Sequence, residues 1–269
     1  MKTEELADRD SVAAAEKLPD LAFTGERIVP GKTAEPLFRE HEERYVFAGR
    51  YVEGKDVLDV ACGSGIGTSF LREAGARSAY GLDIDPEAIA FAKARYRNCE
   101  FAQSEATSLC LRDNSMDVVV SFETLEHLKD QRMFLSECRR VLRPGGLLIC
   151  STPNSKISGW GPSNPFHVRE FHPAEFRDLM YSVFPSTQLF AQENRALFSY
   201  VIRKVARRTL ERLQLLKAID RVFPQEPVAE RFREEFANSA SAKADNICPY
   251  KWRSLCQPIF LVAVGRKAS

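Results

Sequence analysis

The sequence contains no apolar run long enough to cross a bilayer. Its longest, Leu147–Cys150 and Pro258–Val264, fall far short of the ~20 residues a spanning helix needs. It has no excess of charge of either sign: 38 Lys plus Arg against 37 Asp plus Glu leave a formal net charge of +1. A generic nucleic-acid binder needs a large basic surplus to neutralise phosphates, so that class is disfavoured. There is no Cys-x-x-Cys pair. The seven cysteines are odd in number and scattered, which argues against zinc fingers and disulfide frameworks and suits free thiols in a reducing cytoplasm. The first ten residues are acid-rich without an apolar centre, unlike a secretory signal, and no internal repeat is visible. What remains is ordinary globular composition, 44% hydrophobic and 28% charged over 269 residues. That is enough for one large α/β domain.

Strand and helix signals alternate along the chain. Residues 1–22 read as a charged, flexible lead-in, and 23–54 as an N-terminal lid or helix segment with a helix over His41–Ala48. Asp56–Ala61, Ser78–Asp83, Cys99–Ala102, Met116–Ser121 and Gly146–Cys150 are short β-branched or apolar runs bounded by turn residues, hence strands. Pro86 opens a helix, as a first-turn proline can. Phe134, Cys138, Val141 and Leu142 form one apolar helix face, and Arg143-Pro144-Gly145-Gly146 is expected to stop that helix before the next strand. Ser186–Gln192 and Pro258–Gly265 read as closing strands. The pattern predicts an α/β, Rossmann-like, doubly wound and mostly parallel seven-stranded sheet with flanking helices. Residues 55–193 would form its core, 194–257 a helical cap insert near the C-terminus and 258–269 the final strand. Within the insert, Ala237–Ala244 reads as a mobile connection.

The first strand runs into Asp59-Val60-Ala61-Cys62-Gly63-Ser64-Gly65-Ile66-Gly67. Glycines there permit a tight turn and let a ligand approach the backbone. About twenty residues on, the second strand ends at Asp83, where an acid can accept hydrogen bonds from both ribose hydroxyls. Thr68 stands where a dinucleotide fingerprint wants its third glycine, and Asp59 puts a negative charge beside the loop. That charge repels a pyrophosphate and suits a cofactor carrying ammonium and sulfonium groups. An NAD-dependent oxidoreductase is the weaker rival.

Asp59-x-x-x-Gly63-x-Gly65, Gly81-Leu82-Asp83, Asp117-Val118-Val119 and Leu142-Arg143-Pro144-Gly145-Gly146 resemble the successive motifs of class I S-adenosylmethionine (SAM)-dependent methyltransferases, over roughly residues 55 to 190. The resemblance implies SAM as cofactor. Asp59, Gly63 and Gly65, with Ala61 beside them, would hold its methionyl part, and Asp83, next to Ile84, its ribose. Ser104, Glu105 and Ala106 would lie at the adenine, and Ser121 and Phe122 would border the amino group. The block Thr24-Gly25-Glu26-Arg27 with His41-x-x-Arg44-Tyr45 is similar to methyltransferases often encoded with glycan and polysaccharide synthesis enzymes. There Arg44 could pair with the methionyl carboxylate, while the block could equally pack over the sheet edge through Tyr45 and Phe47.

Methyl transfer from a sulfonium asks for alignment and a deprotonated acceptor. After the fourth strand, Glu123, Glu126 and His127 stand at i, i+3 and i+4 and would share a face if a helical turn starts there. Together with His167 from Asn164-Pro165-Phe166-His167 they form the candidate catalytic set. The same four are candidate ligands for a divalent ion such as Mg or Mn, which could lower the acceptor's pKa. The pattern is similar to the metal-assisted O-methyltransferases of ubiquinone synthesis and to terminal 2′-O-methyltransferases of small RNAs. Without metal, His127 or His167 could act as general base, and Glu126 could simply satisfy backbone donors. His172, before Pro173 and a helix, reads as a cap residue.

Arg203–Lys217 carries six basic residues against one acid, Glu211. This is a solvated basic face, or a surface for peripheral membrane contact, a partner or an anionic substrate. The expectation is a cytoplasmic SAM-dependent O-methyltransferase acting on a small-molecule hydroxyl, such as a sugar or glycan intermediate, with homo-oligomerisation open. The rivals are a metal-dependent RNA 2′-O-methyltransferase and a SAM-binding regulatory protein without turnover.

Overall fold

The computed structural model describes residues 19–24, 27–158, 164–192, 247–251 and 258–268. Helices α1 (Glu35–Gly49), α2 (Ile66–Glu73), α3 (Pro86–Arg95), α4 (Gln131–Val141), α5 (Ser155–Ser158) and α6 (Pro173–Val183) accompany the strands. These are β1 (Asp56–Val60), β2 (Ser78–Asp83), β3 (Glu100–Gln103), β4 (Met116–Ser121), β5 (Leu142–Pro153), β6 (Ser186–Gln192), β7 (Ile247–Pro249) and β8 (Phe260–Arg266). They form one sheet in the order β3-β2-β1-β4-β5-β8-β6-β7. The β3-β2-β1-β4-β5 block is parallel. β8 inserts antiparallel between β5 and β6, and β7 lies antiparallel along β6. This is a Rossmann-like doubly wound sheet.

The sheet has eight strands where the sequence suggested seven. The eighth, Ile247–Pro249, pairs Gln192↔Ile247 through Phe190↔Pro249. Three residues are too few to display a period, and the edge of β6 organises them. They fall inside 194–257, which was expected to be helical. The rest of that insert, including Arg203–Lys217 and Ala237–Ala244, lies outside the described residues apart from Tyr250 and Lys251.

A second correction concerns Arg143–Gly146, which does not separate helix from strand. β5 already begins at Leu142, paired with Met116, and the register then jumps to Val118↔Leu147. Gly145, at φ +79°, takes the turn that the extra residues need. Arg143 donates to Asp56 (3.0 Å) and pairs with Asp117 (2.8 Å), tying the entrances of β1 and β4 together at the sheet end away from the glycine loop.

β1 and β4 are central and covered on both faces, so Val57, Leu58, Val60, Val118, Val119 and Val120 are all buried and read as continuous apolar runs. One core cluster joins the sheet to α4 and α6 through Phe134, Phe176 and Met180; the other joins it to α1 and α2 through Phe47 and Leu71. Helix starts are set by local chemistry. The Asp85 carboxylate accepts from Glu87 N (2.9 Å) ahead of Pro86, and Asp130 from Met133 N (2.8 Å). His172 caps α6 as the sequence suggested, its Nδ1 accepting from Ala174 N at 3.2 Å. Strand order reverses between β1 and β4, so the loops leaving their C-terminal ends face one crevice. No described helix is long and apolar enough to cross a membrane.

Candidate active site

A cleft of about 480 Å³ opens at that crevice. Its floor is the turn from β1 to α2, where Ala61, Gly63 and Gly65 all have positive φ (59°, 55° and 79°). Asp83 links the turn to β2: one carboxylate oxygen accepts from Gly63 N (2.8 Å) and the other from Asp85 N (2.9 Å). Each oxygen keeps further lone-pair capacity toward the cleft, whose wall Asp83 forms. Ser64, also in the wall, has its hydroxyl buried with no protein partner. An orphaned hydroxyl there calls for a ligand or water.

Of the residues that the sequence put forward for the cofactor, Ala61, Gly63, Asp83, Ile84, Ser104, Ala106 and Phe122 line the cleft. Other members of that set stand elsewhere. Glu105 is exposed between its two cleft-lining neighbours. Gly65 caps α2 from behind the floor. Ser121 is buried and donates to Val60 O at 3.0 Å. Asp59 is buried beneath the loop, accepting from Thr68 Oγ1 (2.8 Å) and Tyr45 Oη (3.2 Å). Burial pushes its carboxyl up to about 7 and the nearby Asp83 charge adds to this, while the two hydroxyl donors oppose it.

The sign of the consequence is fixed. Between about pH 4 and pH 7 folded Asp59 holds a proton that the unfolded chain releases, so this group makes stability fall as pH rises through that window. A displacement that large corresponds to at most about 4 kcal/mol. We therefore expect Asp59→Asn to gain more stability over the wild type at pH 8 than at pH 5 in urea melts. Parallel pH profiles would show that Asp59 is ionised in the free protein.

The roof comes from the N-terminal segment and α1. Phe38, His41, Glu42 and Tyr45 fall at i, i+3, i+4 and i+7 and line the cleft together with Arg27 and Ile28. Sequence reasoning did not single these out as site residues, although the helical spacing was legible. Tyr45 presses on Gly67, where an added Cβ would meet its ring at 1.9 Å. The Arg27 guanidinium crosses to pair with Asp85. Burial and the Arg44 charge hold His41 well below the usual imidazole range, so it is neutral. Arg44 itself does not reach the cleft. Next to Tyr45 on the helix, it is rotated by about 100° toward β6 and β8. There it donates to Gln192 Oε1 (2.7 Å) and stacks over Phe260 (4.3 Å).

Beyond β4 the expected helical face breaks up. Glu123 is left-handed (φ +53°) and the 3₁₀ turn starts only at Leu125. Glu123 is thereby turned away from Glu126 and His127 to accept from Ser151 Oγ at 2.6 Å. The potential ligand atoms of Glu126, His127 and His167 instead lie within 4.8 Å of one another. Glu126 is fully buried. One oxygen accepts from Thr152 Oγ1 (3.1 Å) and the other has no partner. Burial, reinforced by the Glu123 charge, raises its pKa well above the carboxylate range. His127 Nδ1 donates to Phe166 O (3.1 Å), which places the lone pair on Nε2. His167 Nδ1 donates to Glu170 (2.8 Å), and its Nε2 accepts from Asn164 (2.9 Å). Glu123, Thr124, His127, Leu128 and Phe166 form this end of the cleft.

Residues 58–150 match the family model of the methyltransferase domain. Residues 58–150 thus carry a methyltransferase domain, and the fold, the left-handed glycine loop and the acid ending β2 agree with a class I SAM-dependent methyltransferase. Among known proteins it is 43% identical over 164 residues to a Mycolicibacterium smegmatis protein named "Probable S-adenosylmethionine-dependent methyltransferase", covering 60% of this chain and 63% of the relative. It is 38% identical over 112 residues to the phthiotriol/phenolphthiotriol dimycocerosates methyltransferase of Mycobacterium tuberculosis, covering 40% of this chain and 42% of the relative. The matched region spans less than two thirds of the length of these curated relatives. Among solved structures, a SAM-dependent methyltransferase of Thermotoga maritima superposes with a TM-score of 0.56 at 17% identity, covering 87% of this chain and 93% of that one. Another from Archaeoglobus fulgidus gives 0.54 at 20% identity, covering 86% and 93%. These two show the shared fold.

Proposed function

We propose that this protein transfers a methyl group from SAM to a hydroxyl of a small molecule, a sugar-bearing intermediate among the candidates. The observation that carries the reading is the cleft at the topological switch point, floored by the left-handed Ala61 and Gly63 and walled by Asp83. The residues fit the cofactor. Asp83 offers acceptor capacity for ribose hydroxyls, Ser64 an unpartnered hydroxyl, and the Ser104–Ala106 wall a slot for adenine. A cationic group bound above the loop would draw the proton off the buried Asp59, which would then face it as a carboxylate. When bound, SAM supplies an electrophilic methyl carbon whose departing bond electrons stay on sulfur.

This chain's own residues then orient the acceptor and take its proton. His127 Nε2, with its lone pair set by the Nδ1 contact to Phe166, is the proton acceptor at the cleft wall. Glu123, held by Ser151, orients the hydroxyl. A second reading is favoured by the unpartnered Glu126 oxygen beside two imidazoles. Glu126, His127 and His167 could hold a divalent ion that acidifies the acceptor, with the Asn164 amide yielding its place on His167. Two imidazoles and one carboxylate suit Mn better than Mg.

The test is calorimetric titration with S-adenosylhomocysteine, with and without Mg or Mn. We expect micromolar binding and, with the wild type but not Glu126→Gln, a separate Mn binding isotherm. Absence of S-adenosylhomocysteine binding would overturn the methyltransferase reading; absence of Mn binding would leave His127 acting without metal.

A further inference from the structure

We propose that the acceptor carries an apolar alkyl or aryl chain beside the methylated hydroxyl, and that this chain lies across Phe166 and Val168. The inference rests on the methyl transfer proposed above and names the substrate class. Phe166 and Val168 are each 56% exposed, two of the few large apolar side chains so exposed among the described residues. They are not on a loose loop. Asn164 Oδ1 accepts from Phe166 N (3.0 Å), and Asn164 O from His167 N (3.2 Å). Val168 N and Arg169 N both donate to Glu126 O (2.7 and 3.1 Å). A turn pinned this closely, yet presenting apolar groups to water, marks a binding surface.

The surface is continuous with the reacting groups. Phe166 lines the cleft next to Leu128, and its carbonyl receives His127 Nδ1. His167 separates the two exposed side chains in sequence, and its ring meets that of His127 at 5.0 Å. Across the cleft, Ile28 and Phe38 present a second apolar wall. The acids lining the cleft are Glu42, Asp83, Asp85 and Glu123, and the two nearby cations are paired, Arg27 with Asp85 and Arg169 with Glu175. Carboxylates repel a phosphate or sulfate on the acceptor, so the groove suits an uncharged chain.

The test uses 4-alkylphenols from propyl to octyl, titrated into the full chain saturated with S-adenosylhomocysteine. We expect the Kd to fall about two- to fourfold per added methylene until the chain outruns the groove. The Phe166→Ser, Val168→Ser double variant should flatten that dependence. A Kd independent of chain length, or an unchanged slope in the double variant, would overturn the inference. A failure of S-adenosylhomocysteine itself to bind would be seen first, and would strike the methyltransferase reading instead.

Discussion

Gly65→Ala is expected to abolish measurable S-adenosylhomocysteine binding and to destabilise the fold by roughly 2 to 5 kcal/mol. Two costs combine. The residue sits at φ +79° as the first residue before α2, a conformation that costs an L side chain about 1–2 kcal/mol. An added Cβ would also lie 2.6 Å from the Ala92 Cβ and 2.9 Å from the Phe101 ring, and overpacking of that kind costs about 1–3 kcal/mol. Neither neighbour can swing aside. Ala92 has no rotamer to change and is fully buried, and Phe101 belongs to β3 and packs with Cys62 and Ile89. Relief has to come from the loop, which would move Gly63 off Asp83. Urea denaturation and calorimetry check the two halves separately. A variant with wild-type stability and affinity would mean that the loop adapts, and that its geometry is not what forms the cofactor floor.

His127→Ala is expected to do the reverse: turnover of an alkylphenol acceptor falls at least about a hundredfold, while S-adenosylhomocysteine affinity stays within about threefold. His127 follows β4 whereas Asp83 and Ser104 follow β2 and β3, and it is partly exposed. Its loss removes a proton acceptor or a metal ligand, together with one contact to Phe166 O. The Val168 and Arg169 amides still hold that turn on Glu126 O. A matching loss of cofactor affinity would show that His127 supports the floor and does not act on the acceptor.

Much of the cleft floor was legible because it is local. Asp59, Gly63, Gly65 and Asp83 follow from a strand, a turn and a strand end. The hydrogen bonds of this region, Gly63 N to Asp83 and Thr68 to Asp59, link neighbours within one βαβ unit. The end of the cleft beyond β4 was less legible because it depends on side-chain direction. The spacing of Glu123, Glu126 and His127 suggested a common face, yet one left-handed residue at Glu123 turned its carboxylate toward Ser151. The pair that the fold does bring together, His127 and His167, is forty residues apart in the chain. Arg44 and Tyr45 illustrate the same limit on α1. Adjacent letters point to opposite surroundings, and only the seating of the helix decides which one meets the cleft.

By itself, then, the sequence determined the α/β class, the mostly parallel sheet, the glycine loop and the acid that answers it. Each rests on short-range rules, periodicity and backbone sterics, that act before the chain is folded. Tertiary structure alone decided that β7 would close the sheet edge, that α1 would roof the cleft through Phe38, His41, Glu42 and Tyr45, and that Asp59 would hold a proton near neutrality. It also decided that Glu126 would be buried beside two histidines. These depend on burial and on contacts between distant segments, where the free energy of a charge or a side chain is set by what surrounds it in space.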